Sequence, residues 1–341
     1  MLTTPRKRAH AALLLAALIY SGYNVLLAQA LASLSPVAFS LCRELAAIPL
    51  TYAWAAHLEG GIRLPSTKHE RTRLVALGLV LGVYQLCFAT GVALTSATTA
   101  GIFQAVEPTT AAIMGAALGL EPMTRRRGAA ALLAGAGVLM LEAGGGVRPN
   151  LLGCALLFCQ GVGIAAYCLL QRTLVRGNVS DEPLIGGAAP TNPWGPITVT
   201  AHALPVAAFV LACAAVVDTL LGVEKPFGTA QRQRLSRPDA LAALAYATIL
   251  SSTVGYSLRA YANRFVDSAT LVLYNAVQPP LTALLAVCFG LGGFGWREGG
   301  ATVLVGAAVF VASRETTTMR RPSRDLSRDG PVAGAEGGDF L

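Results

Sequence analysis

The stretch TSATTAGIFQAVEPTTAAIMGAALGLE, residues 95–121, is nearly all small or apolar, yet Gln104, Glu107 and Pro108 stand at its centre. Gln104 and Glu107 are three residues apart, so on a helix they share a face. If the helix starts near Ser96, Glu107 lies roughly 16 Å along it at 1.5 Å per residue. That is about half-way through a hydrocarbon core ~30 Å thick. An ionisable group at such depth is costly and marks a functional site by default. The cost falls on its charged form, which suits a carboxyl that takes up a proton in one state and releases it in another. Glu107 is therefore the candidate proton-coupling residue as well as a candidate substrate-binding one. Pro108 lacks an N–H and frees a carbonyl one turn earlier, which predicts a loosened or broken helix at this point.

A second stretch repeats the first. FQAVEPTTAAIMGAALG (103–119) aligns with YNAVQPPLTALLAVCFG (274–290), pairing Gln104 with Asn275, Glu107 with Gln278 and Pro108 with Pro279. The offset of 171 holds through Arg126 and Arg297, Gly128 and Gly299, and Gly135 and Gly306. A chance match between apolar helices rarely keeps one register through two spans and a loop. The two polar sets read as one central patch supplied by both halves of the chain, or else as a hydrogen bond that packs two helices. Further candidates for substrate contact are Arg43, Tyr20, Asn24, Tyr84, Gln160 and Tyr256, with Tyr167 beside them. Arg43 with its neighbour Glu44 also reads as a structural ion pair near a helix end, where Arg can snorkel. Arg259 and Asp218 read as interfacial, and the lone His202 carries no weight.

Those residues need elements to hold them. Of the 341 residues 54% are hydrophobic and 13% charged, about half the charge of a soluble domain. Mean hydropathy is +0.57. Ten apolar runs are long enough to span a bilayer: 11–32, 36–56, 74–94, 97–120, 128–143, 151–171, 197–220, 240–261, 269–291 and 299–313. No period-2 alternation supports a membrane barrel, so the spans are helices. The first reads as a retained span, being too long for a cleaved signal. The Gly78-x-x-x-Gly82 and Gly115-x-x-x-Gly119 spacings allow close helix contact.

The seven cysteines lie in apolar runs without C-x-x-C spacing and read as packing residues, so no metal site is expected. The net charge of +8 fits cytoplasmic loops better than nucleic acid, since no basic run adjoins aromatics that could stack on bases. With the N-terminus inside, the inner segments hold 18 Lys and Arg and the outer loops 6, which predicts both termini cytoplasmic. Asn178 opens an Asn-Val-Ser sequon that this orientation places inside. No H-E-x-x-H, G-x-S-x-G or P-loop is present, so neither an enzyme nor ATP-driven transport is expected, and no cofactor.

Five spans per half make the second half inverted in the membrane. Inverted repeats are a common build of secondary transporters, with the site near the midplane. The expected divisions are a five-helix repeat at 1–146, a second at 147–316, and a disordered polar tail at 317–341. Here the residues match a family. GVALTSATTAGIFQAVEPTTAAIMGAALGLEPMTRRRGAAALLAGAGVLML and VDSATLVLYNAVQPPLTALLAVCFGLGGFGWREGGATVLVGAAVFV resemble the two EamA modules of the drug/metabolite transporter superfamily. The shared features are the Thr-Ser-Ala turn, the mid-helix Pro, the Gly-Leu-Glu at the helix end and the Gly-rich last span; in the second module Gly-Leu-Glu becomes Gly-Leu-Gly at 290–292. Arg43 matches an Arg the family carries there.

The resemblance covers roughly residues 10–315 and is closest to ten-span plant-type members. It implies an all-α integral membrane fold and transport of amino acids, auxin-like compounds or related metabolites by alternating access. A nucleotide-sugar or sugar-phosphate carrier is the alternative within the class, weakened because only Arg43 reads as a deep cation for a phosphate. A non-transporting receptor or scaffold is the alternative outside it, and would need no polar patch at the midplane. The expected partners are a small-molecule substrate and the lipid bilayer, with a homo-oligomer allowed.

Overall fold

Helix starts and stops in this chain follow local chemistry. The structure, a computed structural model, describes residues 4–31, 34–95, 97–120, 124–142, 150–176, 193–222, 227–290 and 295–315, and they are helical throughout apart from short turns. The expected tail at 317–341, the sequon at 178–180 and Glu121 lie outside the described residues. Helix α1 spans Pro5–Leu31 and α2 Pro36–Leu58, the latter opened by Ser35, whose Oγ accepts from Ala38 N, and by Pro36 in its first turn. Helix α3 (Lys68–Leu94) begins with a capping box in which Thr67 and Glu70 satisfy each other's backbone N–H. Then come α4 (Ala97–Ala117), α5 (Arg125–Glu142), α6 (Leu151–Arg176) and α7 (Pro196–Leu221).

A short α8 (Thr229–Leu235) precedes one long helical stretch. It consists of α9 (Pro238–Tyr246), a π-helical segment at Ala247–Gly255, and α10 (Tyr256–Asn263). The next stretch is divided: α11 (Ser268–Leu273), a 3-10 turn at Tyr274–Val277, and α12 (Gln278–Cys288). Helix α13 (Trp296–Glu315) follows.

In its described residues every expected span falls on a helix or on one of these compound stretches, apart from a turn at some ends. Among the described residues five are long and apolar enough to cross a membrane on length and composition alone: Pro5–Leu26, Lys68–Leu94, Leu151–Arg176, Pro196–Leu221 and Pro238–Asn263. Two of the others show why they fall short: α2 carries Arg43 and Glu44, and the ninth expected span is split by its 3-10 turn.

The structure corrects the expectation for one of the two helix-break prolines. Helix α4 runs through Pro108 without interruption, because losing a single N–H need not break a helix whose neighbours hold it in register. The break falls at the equivalent place in the second half, where the 3-10 turn leads into Gln278, Pro279 and Pro280. Two consecutive prolines remove two donors there. The 171-residue register reappears at the far ends of α4 and α12. Gly119 and Gly290 both take positive φ, 68° and 70°, which lets the chain leave each helix at little steric cost. Gly119 is thus a helix terminator rather than a packing glycine.

Packing repeats the same division of the chain. Helix α3 packs on α6 and α7, and the α9–α10 stretch packs on α1 and α2. Helix α4 lies on α6 as α12 lies on α1. Helix α2 meets α7, and α5 meets α13. Exchanging the two halves leaves this pattern unchanged. Gly78 and Gly82 do make a close contact: a Cβ on Gly82 would stand 2.7 Å from Val210 Cβ and 3.0 Å from the Ala207 backbone. The largest apolar cluster, which includes Leu13, Leu77, Leu174, Trp194, Val199 and Val266, fills the end of the bundle that carries the N-terminus. The polar cavity lies beyond it.

Candidate functional site

A cavity of about 120 Å³ opens between α1, α2, α3, α4, α6, α10 and the 3-10 turn. Roughly 10–15 Å³ suffices for one water, so the space takes several waters or part of a small solute. All ten substrate-contact candidates line it: Tyr20, Asn24, Arg43, Tyr84, Gln104, Glu107, Gln160, Tyr256, Asn275 and Gln278. Tyr167 does not; its ring packs edge-on behind Tyr84 at 5.8 Å, and its hydroxyl accepts from Gln171 Nε2.

Glu107 is 1% exposed. Its Oε1 accepts from Gln160 Nε2 at 3.0 Å and its Oε2 from Asn275 Nδ2 at 2.8 Å. Both donors belong to the second half of the chain, so α4 is tied across to α6 and to the 3-10 turn. Asn275 Oδ1 in turn accepts from Arg259 Nη1 at 2.9 Å and from Gln278 Nε2 at 3.2 Å. Of the patch expected from sequence, Glu107, Asn275 and Gln278 form one connected network with Gln160 and Arg259, while Gln104 lines the same cavity. The 3-10 turn makes it possible by turning Asn275 toward Glu107 while Gln278 still reaches back to Asn275.

Arg43 and Glu44 form the second polar centre. They pair at 2.5 Å, and Arg43 also donates to Tyr23 Oη at 3.0 Å and to Tyr256 Oη at 3.3 Å. Glu44 accepts weakly from Ser252 on the π-helical segment at 3.4 Å. Arg43 is thus an ion-pair partner and a cavity residue at once. Gln85 Nε2 donates to Tyr256 Oη at 2.8 Å, and the two are 171 residues apart. A residue that touches its own repeat equivalent sits on the axis relating the halves, so this bond marks that axis within the cavity wall.

The cavity also holds residues that sequence reasoning missed. Arg259, expected at the interface, instead lines the cavity and lies over the Tyr20 ring at 5.9 Å. Helix side chains lean toward the helix N-terminus, and from α10 that direction leads into the bundle. Tyr23, Ser40, Gln85, Phe88, Ala89, Ile164 and Ser251 complete the lining that was not expected. Asp218 stands on the last turn of α7.

The N-terminal end of the bundle is closed by contacts between the halves. Arg127 pairs with Asp267 at 3.2 Å, both nearly buried, and His10 Nδ1 bonds Tyr274 Oη at 2.8 Å. Glu59 caps α7 from outside, accepting from Ile197 N, Thr198 N and Thr198 Oγ1 at 2.8, 3.0 and 2.6 Å. Arg63 stacks on the buried Trp194 ring at 4.3 Å, and His202 bonds Tyr52 and the Arg63 carbonyl. Trp194 therefore plugs the gap between the α2–α3 loop and α10. Among the described residues no group of His, Cys, Asp and Glu has metal-binding geometry.

Comparison with known proteins agrees with this architecture. The model of the EamA-like transporter family matches residues 7–142 and 184–314, two segments that together exceed half the chain. A crystal structure of a protein superposes with a TM-score of 0.68 at 18% identity, covering 92% of this chain and 99% of that one. At that identity the likeness speaks for the fold alone.

Proposed function

The chain belongs to the EamA-like transporter family, and from that premise we propose that it carries a small organic solute through the cavity around Glu107 by alternating access. Membership makes it a multi-pass membrane transporter of the drug/metabolite superfamily. The finer reading is ours: ten spans in two inverted five-helix halves, 1–146 and 147–316, with both termini cytoplasmic. The solute is an amino acid, an auxin-like acid or a related metabolite, and its movement is coupled to protons through Glu107.

One observation carries the reading. Glu107, buried and ionisable, is held by Gln160 and Asn275 from the other half, inside a cavity whose N-terminal end is shut. A rocking motion that separates the halves at that end must disturb these bonds, so the state of the carboxyl and the position of the halves are linked. Protonating Glu107 removes the charge its two amide donors serve, which weakens that tie. The two-fold pattern of packing supplies the second arrangement: what α3 and α6 do in one state, α10 and α1 do in the other.

The test is Glu107→Gln in liposomes. The substitution keeps shape and hydrogen bonding but removes titration, and Gln278 already occupies the equivalent place. Solute exchange should persist while net transport driven by a pH gradient is lost. Wild-type rate with wild-type pH dependence would leave Glu107 a packing residue.

A further inference from the structure

Resting on the transport reading above, we infer that Arg259 binds the solute's carboxylate and that the cargo is an organic monocarboxylate moved together with one proton. The cavity wall carries two guanidinium groups and two carboxylates: Arg43, Arg259, Glu44 and Glu107 are the members, with Glu44 just behind the lining. Arg43 and Glu44 pair directly and cancel. Arg259 has no ion pair among the described residues; its Nη1 donates to Asn275 Oδ1, whose amide donates onward to Glu107, and its Nη2 reaches Cys168 Sγ only at a long 3.9 Å. Glu107 is thus linked to Arg259 through one amide and does not occupy its N–H groups. Arg259 is partly exposed in the cavity, whereas Glu107 is buried with both oxygens already bonded. A solute therefore meets a cation with N–H groups to spare and an acid whose oxygens are already bonded.

With Glu107 ionised the cavity is neutral, and with Glu107 protonated it carries one net positive charge at Arg259. A monoanion restores neutrality, and a guanidinium presents two parallel N–H donors that match a carboxylate. Proton and monoanion hence favour each other's binding, and the coupling is reciprocal. A phosphate dianion would leave an unpaired negative charge, and an ammonium would gain only from the ionised acid, whose two oxygens are already bonded. The flat faces of Tyr20, Phe88 and Tyr256 offer room for an aromatic body beside the charged head.

Other titratable groups face this pair. Tyr20 on α1, Tyr84 on α3, Tyr167 and Cys168 on α6, and Tyr256 on α10 are phenols and a thiol, which ordinarily ionise well above neutral pH. His10 titrates near neutrality in general, but it lies ten residues, about 15 Å, from Tyr20 along α1 and bonds Tyr274.

Phenylacetate, phenylalanine and phenethylamine share one ring and differ in head-group charge. Binding to purified protein and uptake into liposomes should be measured for each at about pH 5.5 and about pH 7.5. We expect phenylacetate to bind roughly tenfold tighter at the lower pH, phenethylamine to bind at neither, and phenylalanine to gain nothing from acid. Phenylacetate uptake should be unaffected by an imposed membrane potential, since proton and monoanion cross as a neutral sum. Arg259→Gln should abolish the preference for carboxylate. Arg259→Lys, which keeps the charge, should retain part of it and guards against loss by misfolding. The pH effect should survive His10→Asn and vanish in Glu107→Gln. Folded wild-type protein that binds none of the three, prefers the amine, or binds phenylacetate more weakly in acid would overturn the inference. Uptake of the amine alone would do so while leaving the transport reading intact.

Discussion

Asn275 is the joint of the site, giving its N–H to Glu107 and its oxygen to Arg259 and Gln278. Asn275→Leu keeps the bulk and removes both roles, leaving a buried carboxylate oxygen and a guanidinium short of partners. Such losses cost about 1–3 kcal/mol each, so thermal unfolding in detergent should shift downward and solute uptake should fall by roughly tenfold or more. Unchanged uptake would mean that the network only packs helices. The ten lining candidates were legible because each is polar or aromatic in an apolar run, where its presence demands a reason. Arg259 has the same property but stands close to a helix end, and only the lean of helical side chains decides whether it reaches water or the cavity. Gln85 was hidden differently: its importance comes from touching Tyr256, its own equivalent, and the register alone does not reveal which equivalent residues meet.

At the scale of elements, glycine sets how close the helices come. Gly82→Val would drive a branched side chain into Ala207 and Val210 of α7, and overpacking of this kind costs about 1–3 kcal/mol. Folded yield and thermal midpoint should both drop. Gly128→Ala is the contrast: a Cβ there meets nothing within 4 Å, and alanine is the better helix former by about 1 kcal/mol, so stability should hold or rise. Equal behaviour of the two variants would remove the close-contact argument. Helix positions were readable from apolar run length, and the close α3–α7 approach from the Gly78–Gly82 spacing. The π-helical segment was not readable, because ATILSSTVG has no breaker and its equivalent in α3 is an ordinary helix. Pro108 misled in the other direction: one missing donor inside a packed bundle did not break the helix.

For the whole molecule, the proposed alternating access makes the shut N-terminal end the part that must open. Arg127 and Asp267 join the two halves there through a nearly buried ion pair, and removing one partner of such a pair is strongly destabilising, by about 3–5 kcal/mol, to the state that contains it. Arg127→Gln should therefore favour the arrangement open at this end. Cysteine placed near the Trp194 plug, at Val199, should then react faster with an impermeant thiol reagent applied on the N-terminal side. A rate equal to that of the unaltered pair would show that the contact is no gate. The two-part build was legible from the 171-residue repeat, whereas the cross-chain contacts that close one end were not. They join residues such as His10 and Tyr274 whose partnership depends on how the helices pack.

The cavity around Glu107 and Gln278 is the proposed path of the solute. It is tested most directly with Gln278→Cys in a protein whose seven native cysteines are replaced by alanine and whose transport is retained. The position should be alkylated by an impermeant reagent from the side opposite the N-terminus, and a transported solute should slow that reaction in proportion to its occupancy. If the cysteine in an active protein is unreactive from both sides, or reacts at a rate that no transported solute alters, the polar network is a packing device and the solute crosses elsewhere.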